Sequence, residues 1–177
     1  MKKLRTAFLK DGTITAANAS KINDGAAACL LTLYPPLVAG VTIWLMTRQA
    51  ADGLGCKPIA RLIAFADAAT APVDFSIAPA LAVPKLLKLA KVDKNDIALW
   101  EFNETFSSVA LANAKILGLS IDKMNIDGGA VALGHPIGMF GARIVVHLCH
   151  SLKSGQKGVA DVCNGGGGAS SILIEKL

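Results

Sequence analysis

Hydrophobic positions come in short blocks set apart by glycine, proline and polar clusters, and their period changes along the chain. Apolar runs at 59–65 and 97–101 read as strands, the second buried by its composition. Helical spacing recurs at 47–53, closed by Gly53-Leu54-Gly55, and at 80–91, where Pro84 implies that the regular helix begins about there. Further helices are expected over 105–117 and 137–152. Residues 72–79 read as an extended loop and 92–96 as a polar turn. Residues 158–174 read as strand, tight glycine turn and strand, a hairpin with four consecutive glycines at its tip. Strands alternating with helices predict a layered α/β/α domain around a mixed sheet.

Two stretches depart from this rhythm. Residues 10–28 read as a turn, a loop of small residues and a helix start, with Asn18, Ser20, Asn23 and Asp24 as capable caps. Bare carbonyls there would suit a cation or cofactor, but taken alone the stretch reads as close helix–sheet packing. Residues 25–47 carry no charge, a length that invites a transmembrane assignment. Pro35-Pro36 and Gly40 break a continuous helix, so two buried pieces or an inserted apolar loop at about 30–44 are expected instead.

Composition narrows the class. With 53% hydrophobic and 18% charged residues the chain is expected to fold. A net charge of +5 is scattered over many segments and aromatic residues are only 5%, which argues against a nucleic-acid surface and leaves room for a small phosphate-bearing anion. Four cysteines (Cys29, Cys56, Cys149 and Cys163) show no Cys-x-x-Cys spacing, so reduced thiols are expected, not a zinc site or a disulfide scaffold.

Candidate chemistry gathers at three places. Around His135 the chain runs Asp-Gly-Gly-Ala-Val-Ala-Leu-Gly-His-Pro-Ile-Gly-Met-Phe-Gly, and Pro136 keeps His135 out of the helical region, on a loop. Asn103-Glu104 ends the 97–101 strand, where ligand groups gather in open sheets; the pair is either a helix cap or part of an active site. Cys163 precedes bare backbone at Gly165 and Gly166, a setting that predicts an exposed and reactive thiol.

In that order the Asn-Glu loop, the Gly-His-Pro loop and the Cys-x-Gly-Gly hairpin resemble the thiolase family, in particular its mitochondrial acetoacetyl-CoA type. Gly-Thr-Ile-Thr-Ala-Ala-Asn-Ala-Ser and Asn-Asp-Gly-Ala-Ala-Ala extend the resemblance toward the N-terminus. The resemblance implies acetyl transfer between coenzyme A thioesters, with acetyl-CoA or acetoacetyl-CoA as substrate. It implies an acid/base thiol at Cys163 and, at His135, an imidazole that activates the nucleophile and hydrogen-bonds the thioester oxygen. It implies a water-holding amide at Asn103, an oxyanion-hole N–H at Gly165 and a coenzyme A contact at Ser20. The carbonyls of Ala16, Ala17, Ala19 and Val131 match potassium ligands. A mitochondrial location is implied, with the cytoplasm as alternative.

On this resemblance residues 1–24 form a lead-in and 25–177 the C-terminal domain, a half built on a five-stranded type of sheet. The acylated cysteine of the family belongs to the other half, and no segment here matches it. The domain is therefore expected to supply the acid/base half, and by itself to be inactive. Its partner would be a complementary half or another copy; the alternative is a non-catalytic subunit that binds acyl-CoA or a complete thiolase. Phe140 stands where the family has a small serine, and Thr105 where it has alanine. Asp127 and Phe102 are milder departures beside the same loops. The benzyl group of Phe140 is expected to overpack its turn, at a cost of roughly 1–3 kcal/mol.

Overall fold

The computed structural model describes residues 4–28, 48–55 and 57–177. The apolar insertion expected at about 30–44, with the helix interruption it implies, lies outside them, as do Cys29 and Cys56.

Among the described residues the sheet has four strands, not the five of the expected type: β1 (Ala60–Ala69), β2 (Ile97–Phe102), β3 (Lys157–Cys163) and β4 (Gly168–Lys176), in the order β1-β4-β3-β2. β4 is antiparallel to both β1 and β3, and β3 runs parallel to β2, so the sheet is mixed as expected. Helices are α1 (Arg48–Gly53), α2 (Pro79–Ala90), α3 (Ser107–Leu117), the single turn α4 (Ala130–Leu133) and α5 (Phe140–Ser151).

Side-chain alternation along the strands divides the interior into two cores. On one face Val83 and Leu86 of α2 and Ala110 and Ala114 of α3 meet Trp100, Phe102, Val159 and Leu173. On the other, Phe140, Ile144 and Leu148 of α5 meet Ala160 and Ile174. These faces make the α/β/α layering, with α5 alone supplying the long helix of the second face among the described residues.

Several expected boundaries shift. Residues 72–77 form a 3-10 helix and not an extended loop, because Pro72 suits its first turn, where no N–H is needed. α2 begins at Pro79 for the same reason, and Pro84 sits inside it on the exposed side, overridden by the burial of Val83 and Leu86. α5 begins at Phe140 and not near 137, because Pro136 and Gly138 favour a turn, closed by Met139 N–H donating to the Pro136 carbonyl at 3.0 Å. Residues 10–28 contain turns and bridges but no helix start. Asn18 does not cap a helix there; its side-chain oxygen accepts from Thr15 N–H at 2.7 Å and its amide donates to the Thr13 carbonyl at 2.9 Å, tying the loop to itself.

Phe140, the ring expected to crowd its turn, lies in the interior. It is 1% exposed and packs within the second core, at the first position of α5.

Candidate functional site

The site is built at the carboxyl ends of the two parallel strands. β2 ends at Phe102, and the next residue, Asn103, still donates its N–H to the Asp161 carbonyl of β3 at 2.9 Å. That bond turns Asn103 into the protein beside the last residue of β3, Cys163. The end of β2 is held from its other edge by Asn125, whose side chain accepts from Phe102 N–H at 2.9 Å and donates to the Phe102 carbonyl at 3.1 Å. Asn125 adopts φ 47°, which asparagine tolerates better than most residues, and its role was not read from the sequence.

Thr105 links what the two strands deliver. Asn103 Nδ2 donates to Thr105 Oγ1 at 3.3 Å, and Cys163 Sγ stands 3.9 Å from the same oxygen. The Thr105 carbonyl in turn accepts from Ser20 N–H at 2.9 Å, and the bridge Ala19–Phe106 brings the N-terminal loop alongside. Ser20 Oγ lies 2.9 Å from His135 Nδ1, and His135 N–H donates to the Lys21 carbonyl at 2.7 Å. Ser20, Asn103, His135 and Cys163, spread over most of the chain, thus belong to one hydrogen-bonded series through Thr105.

The expected exposure of Cys163 is corrected: it is 4% exposed. Its register partner is Ala169, and by strand alternation it shares the side of Val159 and Asp161, where Thr105 covers it. Burial pushes its thiol up from the ordinary range, the Thr105 contact draws it down, and the nearby Asp161 adds to the upward shift. His135 is buried too, and burial first, then the Arg143 charge, lowers its imidazole below the ordinary value. Both groups therefore rest in their neutral forms near pH 7. With Nδ1 facing Ser20, Nε2 is the nitrogen left for a ligand.

Glu104 does not cap the helix that follows it. Its Oε2 accepts from Val131 N–H at 3.0 Å, at the first turn of α4, and so clamps the glycine loop onto the strand end. A Cβ at Gly129 would stand 2.4 Å from that carboxylate oxygen, so a side chain there would push the Glu104 carboxylate out of this position. Gly134, at φ 98°, ends α4 just before His135, and a Cβ there would stand 2.4 Å from Asn23 Oδ1.

Gly165 lies on the exposed hairpin turn with open space where a Cβ would be. The turn is held by its neighbours: Asn164 Oδ1 accepts from Gly166 N–H at 3.0 Å and Gly168 N–H at 3.2 Å. Ala16 and Ala17 sit in the turn before Ser20. At Val131 the helical ladder breaks, because the N–H of His135, four residues on, is directed to Lys21 instead. Its carbonyl is thereby released from that bond.

A groove of about 380 Å³ opens beside Glu104, lined among others by Ser107, Leu111, Ile121, Met124 and Val131. Neither His135 nor Cys163 lines it. Behind the site, buried Glu101 has Oε1 2.9 Å from His147 Nδ1, while Asp127 Oδ2 lies 2.8 Å from His147 Nε2.

Residues 56–176 match the family model "Thiolase, C-terminal domain" and residues 1–33 match "Thiolase, N-terminal domain". The chain is 59% identical over 176 residues to the mitochondrial acetyl-CoA acetyltransferase of Danio rerio, covering 99% of this chain and 39% of that protein. It is 60% identical to the Mus musculus counterpart, with coverages of 99% and 38%. It therefore spans about two-fifths of the length of these relatives. Among solved structures it superposes on the Acat5 thiolase from Ascaris suum in complex with coenzyme A, with a TM-score of 0.85 and 48% identity, covering 99% of this chain and 43% of the other. The human mitochondrial 3-ketoacyl-CoA thiolase matches with a TM-score of 0.83 and 33% identity, over 99% and 42% of the two chains.

Proposed function

The chain belongs to the thiolase family, and from that premise we propose that it supplies the acid/base half of an acetyl-CoA C-acetyltransferase site. The observation that carries this reading is the continuous series from His135 through Ser20 and Thr105 to Cys163 and Asn103.

In this reading Cys163 is the acid/base group. Once its own proton has passed to the departing coenzyme A thiolate, Cys163 takes a proton from the α-carbon of acetyl-CoA; the C–H pair forms the C=C bond of the enolate and the C=O π pair moves onto the thioester oxygen. In the reverse direction the thiol returns the proton. Nε2 of neutral His135 faces the thioester oxygen, and a water held by Asn103 completes the hydrogen bonding of the developing enolate. His135 in addition serves as base for the nucleophilic thiol of the complementary half. Gly165 N–H forms part of a second oxyanion hole, for which its bare backbone suits it. Ser20 contacts coenzyme A and also holds Nδ1, so that one hydroxyl serves both ligand and tautomer. Potassium, if bound, would be held by the carbonyls of Ala16, Ala17, Ala19 and Val131, hard oxygens that suit a hard cation. It would supply positive charge beside the coenzyme A loop.

The complementary half, or a second copy, is the expected partner, and mitochondria the expected location, in line with the names of the relatives. The 177 residues by themselves are expected to bind coenzyme A without cleaving acetoacetyl-CoA. Calorimetric titration with coenzyme A, and a thiolysis assay with and without an added N-terminal half, test this. Turnover by the chain alone, or no binding of coenzyme A, would overturn it. A second reading, a non-catalytic subunit that docks on a complete thiolase, draws on the exposed Leu111 and Ile121 lining the Glu104 groove. A pull-down against full-length thiolase, with no gain of activity, would select it.

A further inference from the structure

One side chain that neither composition nor family pattern marks as functional stands between the two groups that handle proton and water in this reading. Asn103 is 4% exposed and its Nδ2 donates to Thr105 Oγ1 at 3.3 Å. Asn103 Oδ1 is buried and has no hydrogen-bond partner within the protein. Such an acceptor calls for a bound partner, a water or ligand group, in the place it faces. With the hydroxyl proton given to Cys163, Thr105 can only accept from the amide, so Nδ2 faces it and Oδ1 is directed to the other side.

The same Oγ1 lies 3.9 Å from Cys163 Sγ. A hydroxyl has one proton and two lone pairs. Asn103 uses one lone pair, which leaves the proton for a thiolate at Cys163, or the second lone pair for its S–H. Two constraints hold the Thr105 hydroxyl in place. Its χ1 is restricted by β-branching, and its backbone is tied by Ser20 N–H, which donates to its carbonyl at 2.9 Å. Alanine, the residue of the family motif at this place, would leave both neighbours without the hydroxyl.

We infer that Thr105 is a positioning residue of this site, its hydroxyl fixing the orientation of the Asn103 amide and hydrogen-bonding the Cys163 sulfur. The water-holding amide and the proton-carrying thiol are then set by one group. The catalytic consequence rests on the acyl-transfer reading, but the hydroxyl–sulfur coupling is measurable without it.

The test compares the chain with Thr105→Val, which keeps the shape and removes the hydroxyl, and Thr105→Ser, which restores it. Alkylation of Cys163 by iodoacetamide is followed across pH, with peptide mass spectrometry to separate it from the other cysteines. Losing a donor to the thiolate should move the midpoint for Thr105→Val up by about 0.5–1 pH unit, and Thr105→Ser should return it close to wild type. An unchanged midpoint in Thr105→Val, or a rate changed equally at every pH, would overturn the inference. Should Thr105→Val fail to fold, Thr105→Ala gives the same comparison. Protection of Cys163 by coenzyme A in the same samples reports on the acyl-transfer reading separately. A shifted midpoint without protection sinks that reading and leaves the coupling standing.

Discussion

The ring of Phe140 meets the imidazole of His135 edge-on, with centroids 4.9 Å apart and planes at 68°. On Phe140 the Arg143 guanidinium also stacks, 4.2 Å from the ring centroid. The aromatic ring thus touches a guanidinium and an imidazole at once. Replacing it with the serine of the family pattern removes a buried aromatic ring from a filled core. Phe140→Ser should therefore destabilise the chain by about 3–5 kcal/mol, measured by urea denaturation. A gain in stability would mean that the ring overpacks its turn after all.

His135 should titrate below the ordinary 6.5, since burial and then Arg143 disfavour its charged form. Because the folded value is depressed for a base, the unfolded chain takes up the proton first, and this group costs stability as pH falls below 6.5. NMR titration of the imidazole checks the direction, and Arg143→Gln should move the midpoint upward. A wild-type midpoint above 6.5 would contradict the neutral imidazole on which the acyl-transfer chemistry relies.

Asp161 and Glu101 act with the opposite sign. Burial raises Asp161 from 3.8 to about 7 against the pull of its Ser171 hydrogen bond. Burial also raises Glu101 from 4.5 to about 7, opposed by His147 and Arg143. The folded chain thus holds two protons that the unfolded chain has released, and these groups make stability fall as pH rises from about 4 to 7, then level off. Asp161→Asn should flatten this fall by an amount on the order of 2–4 kcal/mol between about pH 5 and 8. Denaturation midpoints with the same pH slope in both proteins would exclude Asp161 as the source.

Two neighbouring glycines of the hairpin should respond differently. Gly167, at φ 89°, would place a Cβ 2.3 Å from the Thr70 carbonyl oxygen, so Gly167→Ala should cost more than about 2 kcal/mol. Gly165 has open space around it, and Gly165→Ala should change stability by less than about 0.5 kcal/mol. If its N–H serves the thioester, the added methyl should nevertheless weaken coenzyme A binding at least several-fold in calorimetry. Unchanged binding would remove Gly165 from the site.

Much of the fold could be read in one dimension. β2 and the β3–β4 hairpin lie close to where short apolar runs bounded by turn residues put them. The misplaced boundaries cluster at prolines. Pro72 and Pro79 each open a helical segment, and Pro84 rides inside one, because burial against the sheet outweighs a lost hydrogen bond. The cysteine's burial was missed because exposure was inferred from the glycines that follow it, whereas Cys163 itself still belongs to the strand.

The sequence by itself determined the layered α/β architecture and, through ordered motifs, the family and the candidate residues Ser20, Asn103, His135 and Cys163. Those features depend on local periodicity, turn chemistry and residue type, all present along the chain. Only the tertiary structure decided that Thr105 joins Asn103 to Cys163, that Glu104 clamps the glycine loop, and that Phe140 walls His135. Each of these depends on atoms that meet only when the parallel strands lie side by side and the loops fold over their ends. A hydrogen bond or ring contact at a few ångströms is a property of that assembly, and no local pattern encodes it.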